Sequence, residues 1–60
     1  MTPEEIKDLR QLLGLSMEAF GARVGVRLLT IHRWESGKSN PHAVFVKAMR
    51  NIKKEEGFDL

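Results

Sequence analysis

The sequence predicts an all-α fold: a compact domain of four helices, or of four helices and a short fifth. Three observations carry that expectation. Apolar residues recur at three- and four-residue spacing in successive stretches, and none alternates with the period of two that a strand would need. Glycine, proline and capping residues punctuate those stretches. The connections left between them are two to four residues long, a usual length between packed helices.

The first helix begins at Thr2-Pro3-Glu4-Glu5. Thr2 can cap, Pro3 suits the first helical position, and Glu5 stands three residues after Thr2, where a capping box needs it. Ile6, Leu9 and Leu13, with Leu12 beside them, form its apolar face, and Gly14 ends it. Ser16 caps a second helix of about two turns, with Glu18 complementing the dipole. Phe20 and Val24 form the inward face of that helix, and Gly25 closes it.

A third helix is expected from Leu28 to Ser36, with Leu28, Ile31 and Trp34 on one stripe and Gly37 as its stop. Its start is poorly marked, because Arg27 is a weak cap. For the fourth helix, Ser39-Asn40-Pro41 offers a cap and a first-position proline. Phe45, Ala48, Met49 and Ile52 make its stripe, and fraying is expected by Glu56, before Gly57.

Composition narrows the function classes. Sixty residues make one small domain, which buries only about 60% of the surface its unfolded chain exposes. The residues divide into a domain at 1–54 and a short tail at 55–60, for dimerisation or for capping the core. Without cysteine, no disulfide and no cysteine-based zinc site can support the core. His32 and His42 are too few for a metal centre, so neither metal nor cofactor is expected. The longest apolar run, Ala43 to Val46, falls far short of a membrane span, and the N-terminus has no signal-peptide pattern. A cytoplasmic protein is therefore expected. The acidic pairs Glu4–Glu5 and Glu55–Glu56 lie at the two ends, and no acid–base constellation supports an enzyme.

The net charge of +2 is unevenly spread. Up to Ala22, Lys7 and Arg10 are outnumbered by Glu4, Glu5, Asp8 and Glu18. From Arg23 to Lys54, Arg23, Arg27, Arg33, Lys38, Lys47, Arg50, Lys53 and Lys54 stand against Glu35 alone. Such a basic stretch reads either as a phosphate-binding face or as a solvated helical surface.

The window from Met17 onward holds Phe20, Gly21, Val24, Gly25, Val26, Ile31 and Trp34. Gly21 is small where a second helix must cross closely, and Gly25 permits a tight turn with positive φ. Two helices joined this tightly leave the outer face of the second one free.

At these residues the chain resembles the lambda-repressor-like helix-turn-helix family, also called the XRE or Cro/C1 type. The resemblance rests on Ile6, Leu9-Arg10, Leu13-Gly14-Leu15-Ser16, Phe20, Gly25-Val26, Thr30-Ile31, Arg33-Trp34-Glu35, Gly37-Lys38 and Pro41. It covers residues 4 to about 52 and puts the helix-turn-helix at about 17–36. It implies that the helix from Leu28 lies in the major groove of double-stranded DNA. Leu28, Leu29 and Arg33 are the implied base contacts, and Arg33 either bonds guanine O6 and N7 or touches phosphate. The implied phosphate contacts are Ser16, Met17, Arg27, Thr30 and Lys38, with Asn40 and His42 on the flank and His32 on the exposed side of the third helix as a surface or phosphate-proximal residue. Arg10 and Glu35 resemble a structural pair of the family; the alternative is two unpaired surface charges.

Four residues depart from the family pattern, at three places. Met17 stands where a glutamine is frequent, and Arg27 stands where Ser or Thr usually caps the recognition helix. Leu28 and Leu29 occupy places where polar base-readers are common. They either pack on thymine methyl groups or bind another protein.

The resulting expectation is a sequence-specific DNA-binding repressor or autoregulator, of a phage or plasmid kind, acting as a homodimer on a palindromic operator. Val46, Met49, Phe58 and Leu60 are the expected dimer surface, although Phe58 has the alternative of packing on its own core. The second expectation is an antitoxin with a toxin partner, or an adaptor that docks protein on Leu28 and Leu29. RNA binding has little support, because Trp34 is wanted in the core and few aromatics remain for stacking.

Overall fold

In the computed structural model, which describes residues 1–57, four helices follow one another: α1 (Pro3–Leu12), α2 (Met17–Val24), α3 (Leu28–Glu35) and α4 (Ala43–Glu55). No strand occurs among the described residues, and no helix is long and apolar enough to cross a membrane. The body measures 29 × 21 × 19 Å.

Local chemistry sets the helix ends. At α1 the capping box is complete: the Thr2 amide donates to Glu5 Oε1 at 2.9 Å, and the Glu5 amide donates to Thr2 Oγ1 at 3.1 Å. Ser16 Oγ accepts the Ala19 amide at 3.1 Å and caps α2. Gly25 ends α2 with φ 101°, a conformation that side chains with a Cβ adopt only under strain. Arg27 occupies the cap position of α3 and makes no side-chain cap bond.

The start of α4 corrects the sequence reading. His42 is the cap, and its Nδ1 accepts the Val44 amide at 3.3 Å. A cap at Asn40 with Pro41 as first residue would require His42 to be helical, but it is extended at φ −61°, ψ 152°. The connection from α3 to α4 therefore spans 36–42, longer than expected.

Ile6, Leu9, Phe20, Val24, Ile31, Trp34, Met49 and Ile52 form one core to which every helix contributes. The Trp34 ring lies 5.7 Å from that of half-buried Phe45, tilted by 45°. Leu12, grouped with the apolar face of α1 on sequence, is 60% exposed. With about 100° between successive residues, it falls about 100° from Leu13, at the edge of that face. Met49 has no exposed surface, so packing in the core removes it from the expected dimer surface. Val46 is half-buried, whereas Phe58 and Leu60 lie outside the described residues.

α2 packs chiefly against α3, α1 against α3, and α2 against α4. The α2–α3 crossing is tight at Gly21, where an added Cβ would lie 2.7 Å from the Val26 carbonyl oxygen. That close approach holds the turn and α3 against α2, and the other side of α3 lies in solvent.

Candidate nucleic-acid interface

The outer side of α3 presents Leu28, Leu29, His32 and Arg33, all exposed, with Arg27 just before them. Its inner side is held by Ile31 and Trp34 in the core, while Thr30 is half-buried. The turn after α3 is drawn back by the Arg33 carbonyl. It accepts from the Lys38 amide at 2.9 Å and from Ser36 Oγ at 3.2 Å. Lys38 thus extends into solvent just beyond the end of the helix.

One side chain fixes the direction of α3. Arg10 Nε donates to Glu35 Oε2 at 2.7 Å, and Nη2 donates to Glu35 Oε1 at 3.0 Å. The remaining terminal nitrogen, Nη1, donates to the Leu15 carbonyl at 3.1 Å. Arg10 therefore ties α1 to both the end of α3 and the residue before the α2 cap. Its side chain is 14% exposed and that of Glu35 only 5%, so the pair is largely withdrawn from water. The Glu35 carboxylate holds the guanidinium pKa above its ordinary value, mainly through these hydrogen bonds. With Glu35 turned inward onto Arg10, the outer side of α3 carries no free acid.

The other sequence-designated residues border this side. Ser16 is exposed and Met17 half-buried at the start of α2, where the first amides of a helix point out of its end. Met17 lies beside His32 and Ser36 in a shallow depression between α1, α2 and α3. Lys7 lines the same depression, which sequence reasoning did not anticipate. It sits in the acidic N-terminal segment, and only the docking of α1 on α3 brings it alongside His32. Asn40 and His42 are exposed in the connection to α4. With His42 Nδ1 taken up by the Val44 amide, Nε2 is the ring nitrogen left for another partner.

The basic stretch from Arg23 to Lys54 does not form a single face. Arg23 Nη2 pairs with Glu56 Oε1 at 2.7 Å, bracing the end of α2 against the end of α4. Arg50, Lys53 and Lys54 line a groove with Met1 and Glu5, between α1 and α4. Arg27, Arg33 and Lys38 remain around α3. The Arg23–Glu56 pair has no signal in the sequence, since it depends on how α2 and α4 dock.

A family model described as helix-turn-helix matches residues 6–52, which spans α1 through most of α4. No curated protein and no solved structure matches the chain. With α2, the Gly25 turn and an outward-facing α3 at the centre of that match, the chain belongs to the lambda-repressor-like helix-turn-helix family, whose domains bind DNA.

Proposed function

We propose that the protein is a sequence-specific regulator of transcription, a repressor or autoregulator, that inserts α3 into the major groove of its operator. One observation carries this reading: the outer side of α3 is exposed, bordered by cations and free of acid, and its direction is set by the Arg10–Glu35 pair. Arg33 reads a base, in keeping with its exposure and with the geometry of a guanidinium on guanine. Arg27, Lys38 and the amides at the start of α2 grip phosphates on either side. Ser16, Thr30, Asn40 and His42 complete that border, and Lys7 joins it through the depression it shares with Met17 and His32. Two copies act on a palindromic site with half-sites about one turn of DNA apart.

A gel-shift assay on the promoter of the protein's own operon tests this. A specific complex that weakens steeply with salt is expected, because each phosphate contact releases counterions. The absence of a specific complex at moderate salt would overturn it. The second reading, an antitoxin or adaptor, is favoured by one observation, the exposure of Leu28 and Leu29 side by side. Co-purification with a small neighbouring gene product, with no specific DNA complex, would support that reading instead.

A further inference from the structure

The position of Leu29 on α3 deepens the DNA reading and rests on it. At about 100° per residue, Ile31 and Trp34 mark the buried direction of α3, and Leu29 points roughly 170° away from it. Leu28 lies near the edge of the outer side, about 90° from the buried direction. The exposures follow that order, 55% for Leu29 and 47% for Leu28. Arg33 follows Leu29 by one turn, about 40° around the helix and about 6 Å along it. The most outward side chain of the recognition helix is therefore apolar, and exposed His32 and Arg33 flank it one turn on.

We infer that Leu29 is a specificity residue that packs on the 5-methyl group of a thymine, with Leu28 closing the side of the contact. The major groove offers one prominent apolar group, the thymine methyl. The surroundings favour DNA over a protein occupant. Arg27 and Arg33 border the leucines, Lys38 adds a cation beyond the far end of the helix, and Glu35, the acid nearest in sequence, is occupied by Arg10. A polyanion fits that border. Because base pairs are about 3.4 Å apart, the thymine lies within about two base pairs of the guanine bound by Arg33. The recognised element is therefore a guanine with a thymine close by, on either strand.

Selection of duplexes from a random library by the full chain gives the test sequence. Each thymine of that duplex is then replaced by uracil, which removes the 5-methyl group and leaves base pairing intact. One replacement within two base pairs of the guanine should weaken binding about four-fold, the effect of one buried methyl-sized group. Leu29→Ala, at an exposed position, should weaken binding to the thymine duplex and abolish the difference between thymine and uracil. Specific, salt-sensitive binding that no uracil weakens would overturn the inference, leave DNA binding standing and point the leucines to a protein partner. A thymine–uracil difference that survives in Leu29→Ala would overturn the role of Leu29. Recovery of no specific duplex would overturn both this inference and the DNA reading.

Discussion

Arg10 holds Glu35 through two parallel hydrogen bonds, of 2.7 and 3.0 Å, while its remaining terminal nitrogen donates to the Leu15 carbonyl. The carboxylate ends the recognition helix, and the carbonyl precedes the cap of the helix before it. One guanidinium thus sets the orientation of both halves of the motif.

Glu35→Ala leaves that guanidinium unpaired in a site largely closed to water. A loss of about 3 kcal/mol is expected, a large share of the stability of so small a domain. Urea unfolding measures it. The double variant Arg10→Met, Glu35→Leu should recover most of the stability, because an apolar pair needs no desolvation of charge. It should nonetheless bind the operator more weakly than the wild type, since Leu15 and α3 lose their common anchor. Equal operator affinity in the double variant would show that the pair has no orienting role.

Gly21→Ala should be costly for a steric reason. The new methyl would meet a backbone oxygen at 2.7 Å, so α2 and α3 must separate. Overpacking of this kind costs about 1–3 kcal/mol, or roughly 10 °C in the melting temperature of a domain this size. At Gly25 nothing stands within 4 Å of an added Cβ, and the cost comes from φ 101° instead. Gly25→Asn should therefore be milder than Gly25→Ala, whereas Gly21→Asn should be no milder than Gly21→Ala.

Arg27→Ser separates stability from binding. The cap of α3 makes no side-chain bond, and a serine there can accept an amide of the first turn. Stability should rise by about 1 kcal/mol. Operator affinity should fall, and the slope of log affinity against log salt should become shallower by about one, as for one lost phosphate contact. Thermal melts and a salt series measure the two effects, and an unchanged salt slope would remove Arg27 from the phosphate border.

The capping box gives α1 a pH-dependent contribution. The Glu5 carboxyl lies below its ordinary value of 4.5, first because the Thr2 amide bonds it and then through the Thr2 side chain. A carboxyl whose value falls on folding stabilises the folded state at pH above its unfolded value. That contribution declines as pH drops through the ordinary carboxylate range and is gone below the folded value. The melting-temperature gap between wild type and Glu5→Gln should be open at neutral pH and narrow in acid. A gap that widens in acid would contradict this assignment.

Much of the fold is legible residue by residue, because its signals are local. Thr2, Pro3 and Glu5 can act only at a helix start, and Gly25 supplies the positive φ that the turn requires. The three- and four-residue spacing of Ile6, Leu9, Phe20, Val24, Ile31, Trp34, Met49 and Ile52 marks the faces that meet in the core. The start of α4 was less legible, because an imidazole caps it in place of the commoner Asn or Ser.

By itself, then, the sequence determined four helices, most of their core faces and the tight turn of the motif. Leu28, which its spacing put on the stripe of Ile31 and Trp34, lies exposed instead, because it falls about 90° from the buried direction of α3. Only the tertiary structure decided which charges share a surface. It separated Arg50, Lys53 and Lys54 from Arg27, Arg33 and Lys38, and it paired Arg23 with Glu56. It also settled Met49, which the sequence put both in the α4 stripe and on the dimer surface, in the core, and it moved Lys7 beside His32. The physical reason is range. Caps and helical periodicity act within a few residues of the chain, whereas charge neighbours and lateral exposure depend on the angles at which separate helices pack.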